Sequence, residues 1–183
     1  MSNFPSSFDD DIPLMLRARD HDDRAAFAIL VNRHSQKLLN YFRRAGVQYD
    51  AEDLVQQTFI KLHAYRRRYT PAAKFTTFLF LIARQTWIDE LRRRKRRERL
   101  EQEITLHIQT THCDTEDAPL HDDLDLAAAL DTLSPSHRET IELAIYQGLP
   151  YPDVAAILRV PVGTVKTRMF HAIRALRKHL GLV

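Results

Sequence analysis

Side chains that suit a buried stripe return every three or four residues through most of this chain, a spacing that admits few folds besides packed helices. From Ala25 to Ala45 the stripe runs Phe27, Leu30, Val31, His34, Leu38, Tyr41 and Phe42, and Gly46 follows where a left-handed cap would close the helix. A second stripe of Leu54, Val55, Thr58, Phe59 and Leu62 predicts a helix from Ala51 to about Arg67, with Asp50 as its N-cap and Asp53 three residues on. Pro71, inside "YRRRYTPAAKF", forbids its continuation. The next stretch, "FTTFLFLIARQTWIDEL", is apolar nearly all round from Phe75 to Ile82, as a helix packed on several sides would be. A short helix from Ile12 to Arg19 is expected ahead of these. With only four glycines in 183 residues and scattered β-branched runs, the expectation is an all-α protein.

The formal net charge of +3 conceals a strong asymmetry along the chain. Arg92 to Arg99 holds seven cations in eight residues, while Glu101 to Asp125 holds eight carboxylates and no Lys or Arg. The first segment continues a helix into solvent; the second, with its Thr, His and Pro119, has the composition of a flexible polar tether. The organisation expected is therefore two small helical domains, residues 1–100 and 124–183, joined by an acidic linker at 101–123. Beyond a lead-in at "LDLAAALDTL", three helices are expected. One runs from Pro135 to Gln147, capped by Ser134 and closed by Gly148; the others run from Pro152 to about Leu158 and from Val162 to about Leu180.

Only "RVP" separates the last two helices, a turn of the length that a helix-turn-helix uses to offer its second helix to the major groove. At about 100° per residue, Val165, Met169, Ala172, Ile173, Leu176 and Leu180 gather on one side of that helix. Lys166, Thr167, Phe170, His171, Arg174 and Lys178 gather on the other. Phe170 suits a thymine methyl, and Lys166, Thr167, His171 and Arg174 suit base edges or phosphates. The bland alternative is an amphipathic helix whose Phe170 docks on another protein.

Near Pro71 the chain interleaves cations with Tyr65, Tyr69, Phe75 and Phe78. Aromatic rings and cations together suit unstacked single-stranded bases. Phe78 and Phe80 read as core, whereas Tyr69 and Lys74 read as exposed and available to a base. A base-capturing loop followed by a basic helix, with Arg92, Arg93, Arg96 and Arg97 gripping phosphates, describes a protein that opens a duplex or holds it open.

Three stretches carry a family resemblance: "DAEDLVQQTFIKLHAY", "KFTTFLFLIARQTWIDELRRRKRR" and "LSPSHRETIELAIYQGLPYPDVAAILRVPVGTVKTRMFHAIRALRKHL". In this order and spacing the chain resembles a bacterial RNA polymerase sigma factor of the extracytoplasmic-function type, which keeps only the second and fourth sigma domains. The resemblance implies that Asp53, Gln56, Gln57 and Lys61 dock on the clamp helices of the polymerase's largest subunit, with the fourth domain on the flap. It also implies that the loop from Tyr69 to Lys74, helped by Gln85, captures a flipped base of the minus-ten element, and that the final helix reads the minus-thirty-five element. The tether would thread through the polymerase, and an inhibitory anti-sigma factor is a candidate partner. The family usually shows Trp-Leu-Tyr where this chain has Phe78-Leu79-Phe80, and often arginine at His171, where neutral histidine lacks a bidentate grip on guanine. The N-cap ahead of Pro161 is Val160, a weak capping residue.

Other functions fit less well. The single cysteine, Cys113, excludes an internal disulfide, and "MSNFPSSFDDDIP" lacks both the basic start and the apolar core of a signal peptide. No apolar run approaches the roughly 18 residues that span a membrane, so the expected place is a reducing cytoplasm, with no membrane insertion. Acidic clusters at Asp9–Asp11, Asp22–Asp23 and Asp50–Asp53 fall at helix starts, where carboxylates suit the dipole, so neither a metal cofactor nor enzymatic catalysis is expected. His107, His112, Cys113 and His121 match no common zinc spacing. The competing reading is an autonomous helix-turn-helix regulator that never touches polymerase, in which "AEDLVQQ" and the aromatic loop would be superfluous.

Overall fold

In the computed structural model the described residues are 11–47, 50–72, 74–105, 129–130 and 132–181, with the backbone alone at 101–105. Among them every element is helical, as expected. In chain order they are α1 (Asp11–Asp20), α2 (Arg24–Arg44), α3 (Ala51–Tyr65), a 3-10 turn (Arg66–Arg68) and α4 (Phe75–Thr105). Then come α5 (Pro135–Ile141), a π-helical turn (Glu142–Tyr146), α6 (Tyr151–Leu158) and α7 (Val162–His179).

Helices α1 to α4 close round Met15, Leu30, Leu38, Tyr41, Phe42, Leu54, Leu62, Phe75 and Phe80, all essentially without exposure. Tyr41 and Phe80 meet edge to face at 5.5 Å. Each such side chain stabilises by about 1.5–3 kcal/mol through removal from water, which outweighs any single surface contact. Most of the start of α4 is buried, because α2 and α3 cover one side and α6 another, but Phe78 and Leu81 are only half-buried, so the expected packing all round is incomplete. α4 then continues past residue 100 to Thr105, so the expected domain boundary falls inside a helix.

Polar residues fix the entries. Asp23 caps α2 by accepting from the Ala26 amide at 3.0 Å, and its other oxygen takes Arg17 at 2.7 Å. Asp23→Ala should therefore lower stability by about 1 kcal/mol, read from a urea midpoint, and an unchanged midpoint would mean that water replaces the cap. Asp11 opens α1, so it does fall at a helix start, but it also has a second task. It is buried, bonded to Arg33 and to His34 Nε2 at 2.9 Å, and so clamps α1 to α2. Burial pulls the His34 imidazole down from its ordinary range, with Asp11 opposing. The expected Asp50 cap is not made, because its carboxylate turns to Arg94 at 3.0 Å.

In the C-terminal part, Leu133, Ile141, Met169 and Ala172 form a small core under α7. Leu143, Leu149, Val154, Ile157 and Val165 join the larger N-terminal core. The expected α-helix from Pro135 to Gln147 widens at Glu142 into the π-helical turn. Four successive buried residues, Thr140 to Leu143, lie on that stretch because α7 covers one of its sides and the N-terminal bundle meets another. The turn before α7 also differs from expectation. Pro161 itself occupies the N-cap, and Arg159 adopts φ of 56°, a left-handed conformation that the absence of glycine or asparagine there concealed.

Candidate functional site

The face of α7 expected to meet DNA is open: Lys166, Thr167, Phe170, His171 and Arg174 are all exposed. Phe170 is 63% exposed, a large apolar ring presented to solvent among cations. It meets His171 edge to face at 5.5 Å, while His171 stacks on His137 of α5 at 6.3 Å, so the imidazole is braced from outside its own helix. The Thr167 hydroxyl donates back to Gly163 O at 3.0 Å, which leaves its lone pairs as acceptors. The opposite face buries Val165, Met169 and Ala172 as expected; Ile173, placed with them by periodicity, is partly exposed.

The arginine run divides by partner. Arg94 is held inward, by Glu90 at 3.2 Å and Asp50 at 3.0 Å, and lies over the Trp87 ring. Arg92 and Arg93 project outward, with only long contacts of 3.8 Å to Asp89 and 3.7 Å to Glu90 from the preceding turn. Arg96 and Arg97 are exposed, and no ion pair holds them among the described residues. Such loosely held guanidinium groups keep their donors for phosphate.

Tyr69 corrects the sequence expectation. Its ring is 1% exposed, packed at 5.2 Å from Phe78 and 6.4 Å from Phe75, and its carbonyl accepts from Arg19 at 2.7 Å. Burial raises the phenol above its ordinary range. A ring so enclosed cannot stack on a base: the loop turns it inward because the bundle needs a plug between α1 and the start of α4. Lys74 remains exposed at the loop's end.

The aromatic surface lies elsewhere. Tyr65 is 45% exposed with Arg68 above its ring, and Phe78, read from sequence as core, is only half-buried. Both line a cavity of about 500 Å³ together with Lys61, Arg68, Gln85 and Arg159. The interleaving of Tyr with Arg held the signal for Tyr65; Tyr69 follows the 3-10 turn in extended backbone, and packing against α1 and the start of α4 separates the two. Gln85 and Lys61, assigned to different tasks from sequence, share one carboxylate here. Asp89 accepts from Gln85 at 2.9 Å and from Lys61 at 2.8 Å, and the Lys61 bond is the main cause that holds it below the usual carboxylate range.

On α3, Asp53 and Gln56 are exposed and Gln57 partly so. Ile60, one turn beyond Gln56, is 68% exposed, an apolar residue on the same face that sequence reasoning passed over. Within the acidic clusters Asp22 takes Arg66 at 2.7 Å, Asp9 and Asp10 lie outside the described residues, and no metal-holding group occurs among the described residues. His107, His112, Cys113 and His121 lie outside the described residues.

Residues 30–97 match Sigma-70 region 2, and residues 123–176 match Sigma-70, region 4. The chain is 30% identical to the ECF RNA polymerase sigma factor SigW of Bacillus subtilis, across 86% of this chain and 90% of SigW. It belongs to the ECF sigma factors. Against SigL of Mycobacterium tuberculosis this sigma factor is 34% identical across 85% of its length and 89% of SigL. Against SigE of Mycolicibacterium smegmatis it is 33% identical across 83% of its length but spans only 60% of that longer protein. Among solved structures it is similar to CnrH in complex with the cytosolic domain of CnrY, at TM-score 0.70 and 27% identity over 94% of this chain and 97% of that one. It is similar also to RpoE with the anti-sigma factor NepR from Bartonella quintana, at TM-score 0.65 and 28% identity over 84% and 93%.

Proposed function

We infer that this sigma factor binds core RNA polymerase and directs it to promoters, reading DNA without catalysing a reaction of its own. One observation carries the reading: a single chain displays an acid-and-amide helix face, an outward arginine run and a mixed recognition helix, all exposed. An autonomous helix-turn-helix regulator has use for the third alone. In this scheme residues 1–100 dock and melt, 101–123 link, and 124–183 read the minus-thirty-five element. Asp53, Gln56, Gln57 and Lys61, with Ile60, face the polymerase clamp helices. Lys74, together with Gln85 and the cavity that Gln85 lines, takes the minus-ten base in place of Tyr69. Arg92, Arg93, Arg96 and Arg97 hold phosphates, and Lys166, Thr167, Phe170, His171 and Arg174 face the upstream duplex.

The place of action is the cytoplasm, where polymerase and promoter meet, and no described helix is long and apolar enough to cross a membrane. Since CnrH and RpoE were solved with CnrY and NepR, an anti-sigma factor is a candidate partner here too.

Purified chain mixed with core polymerase tests this. Co-elution and transcription from selected promoters support it, and failure to co-elute favours the autonomous regulator. Asp53→Arg with Gln57→Arg should weaken competition for core enzyme at least tenfold with the helical signal in circular dichroism unchanged. The exposed Asp53 and the partly exposed Gln57 leave room for arginine, at a dipole cost of about 0.3–1 kcal/mol near the helix start. Undiminished competition by the folded variant would remove α3 from the docking surface.

A further inference from the structure

Three aromatic rings connect the recognition helix to α5. Phe170 meets His171 with 76° between the ring planes, and His171 stacks on His137 with only 24° between them. His171 is exposed and His137 half-buried. The outer torsion of a histidine is broad and roughly two-fold, so an imidazole alone on a helix surface has no fixed plane. His137 supplies one, and its own place is well determined. Its amide donates to Ser134 O at 3.0 Å and to Ser134 Oγ at 3.4 Å, in the first turn of α5. One turn on, Ile141 packs with Leu133, Met169 and Ala172 in the small core that joins α5 to α7. Met169 and Ala172 flank Phe170 and His171 in the chain, so the core that buries the outer pair fixes the spacing of the two imidazoles.

We propose that His137 is a positioning residue for promoter recognition: by stacking on His171 it holds that imidazole in one plane, so that a single ring N–H is aimed at the N7 of a purine in the upstream element. The proposal rests on the sigma reading given above and deepens its account of α7. A neutral imidazole donates through one nitrogen only, so it satisfies one acceptor. In the major groove both purines present N7 and neither pyrimidine does, so one base pair should be read as purine against pyrimidine rather than as guanine alone. Direction decides the strength of such a bond, because a donor angle below about 120° forfeits most of it. A ring free to turn would hold that angle only part of the time; a ring already stacked loses little freedom when DNA arrives. Lys166 and Arg174 lie outside the ring contact, so their share of recognition should not depend on His137.

Core polymerase carrying the full-length chain is offered promoters randomised across the upstream element, and the bound pool is sequenced. The wild type should prefer purine by about tenfold at one position, and His171→Ala should abolish that preference and so mark the position. His137→Ala should cut the same preference to about threefold or less and leave the other positions within about twofold, and the double variant should be no worse than His171→Ala. His137→Phe keeps a flat ring but has no donor, so it should restore the preference nearly to the wild-type value. It thereby separates stacking from any contact of His137 with DNA, and it decides the matter even where the alanine variant fails to fold. Preferences that fall together at every position in a folded His137→Ala would make the residue merely structural and overturn the proposal. A purine preference kept in His137→Ala, one lost in His137→Phe, or a selection unchanged in His171→Ala would overturn it equally. Failure of the wild type to co-elute with core polymerase, recorded before selection, counts against the sigma reading instead; the chain alone then meets the same randomised duplexes, and the same outcomes decide for His137.

Discussion

Tyr69→Ala should lower the stability of the sigma factor by about 3–5 kcal/mol, measured as a fall in the urea midpoint, because it removes a fully buried ring from between Phe75 and Phe78. Much of a typical domain's stability of about 5–15 kcal/mol would go with it. Tyr69→Phe should behave in the opposite sense. The hydroxyl is buried with no hydrogen-bond partner among the described residues, so its loss should be neutral or raise stability by up to about 1 kcal/mol. The pair separates packing from recognition. Should Tyr69→Ala keep its midpoint yet fail to open promoter DNA, the ring would be a base ligand after all and its burial a resting position. Gln85→Ala, on the exposed side of α4, should leave the midpoint within about 0.5 kcal/mol and act on strand opening alone.

Replacing Arg92, Arg93, Arg96 and Arg97 by glutamine should weaken promoter binding by roughly 10²–10³-fold at physiological salt. Each phosphate contact contributes about 0.7–0.9 to the slope of log affinity against log salt, so four lost contacts flatten that slope by about 3. The loss should be nearly equal for different promoter sequences, since phosphates carry no sequence. Stability should hardly move, because these four side chains point outward with loose partners or none among the described residues, unlike Arg94 with its two carboxylates. Arg94→Gln is the control: it should destabilise and leave the salt slope almost unchanged. A slope unaffected by the fourfold variant would reduce the run to a solvated helix end.

Periodicity and punctuation determined a great deal without coordinates. The helical class, the presence and order of all seven α-helices and most of their starts, the buried face of α7 and the outward arginines follow from spacing, glycines and prolines, because those signals act within one or two turns of chain. The three quoted stretches also identified the family, which the relatives bear out. Tertiary structure decided the rest. Whether Tyr65 or Tyr69 faces solvent depends on which side of the 3-10 turn Arg66–Arg68 meets α1, and composition is the same on both sides. Asp50 abandons its cap for Arg94, 44 residues on, and Asp11 binds His34, 23 residues on; no local pattern records such partners. The left-handed Arg159 and the widened turn at Glu142 arise likewise, since both are imposed by helices that pack from elsewhere in the chain. Local chemistry specifies which residues can be buried or bonded, and only long-range packing chooses among them, because that choice turns on neighbours far apart in sequence.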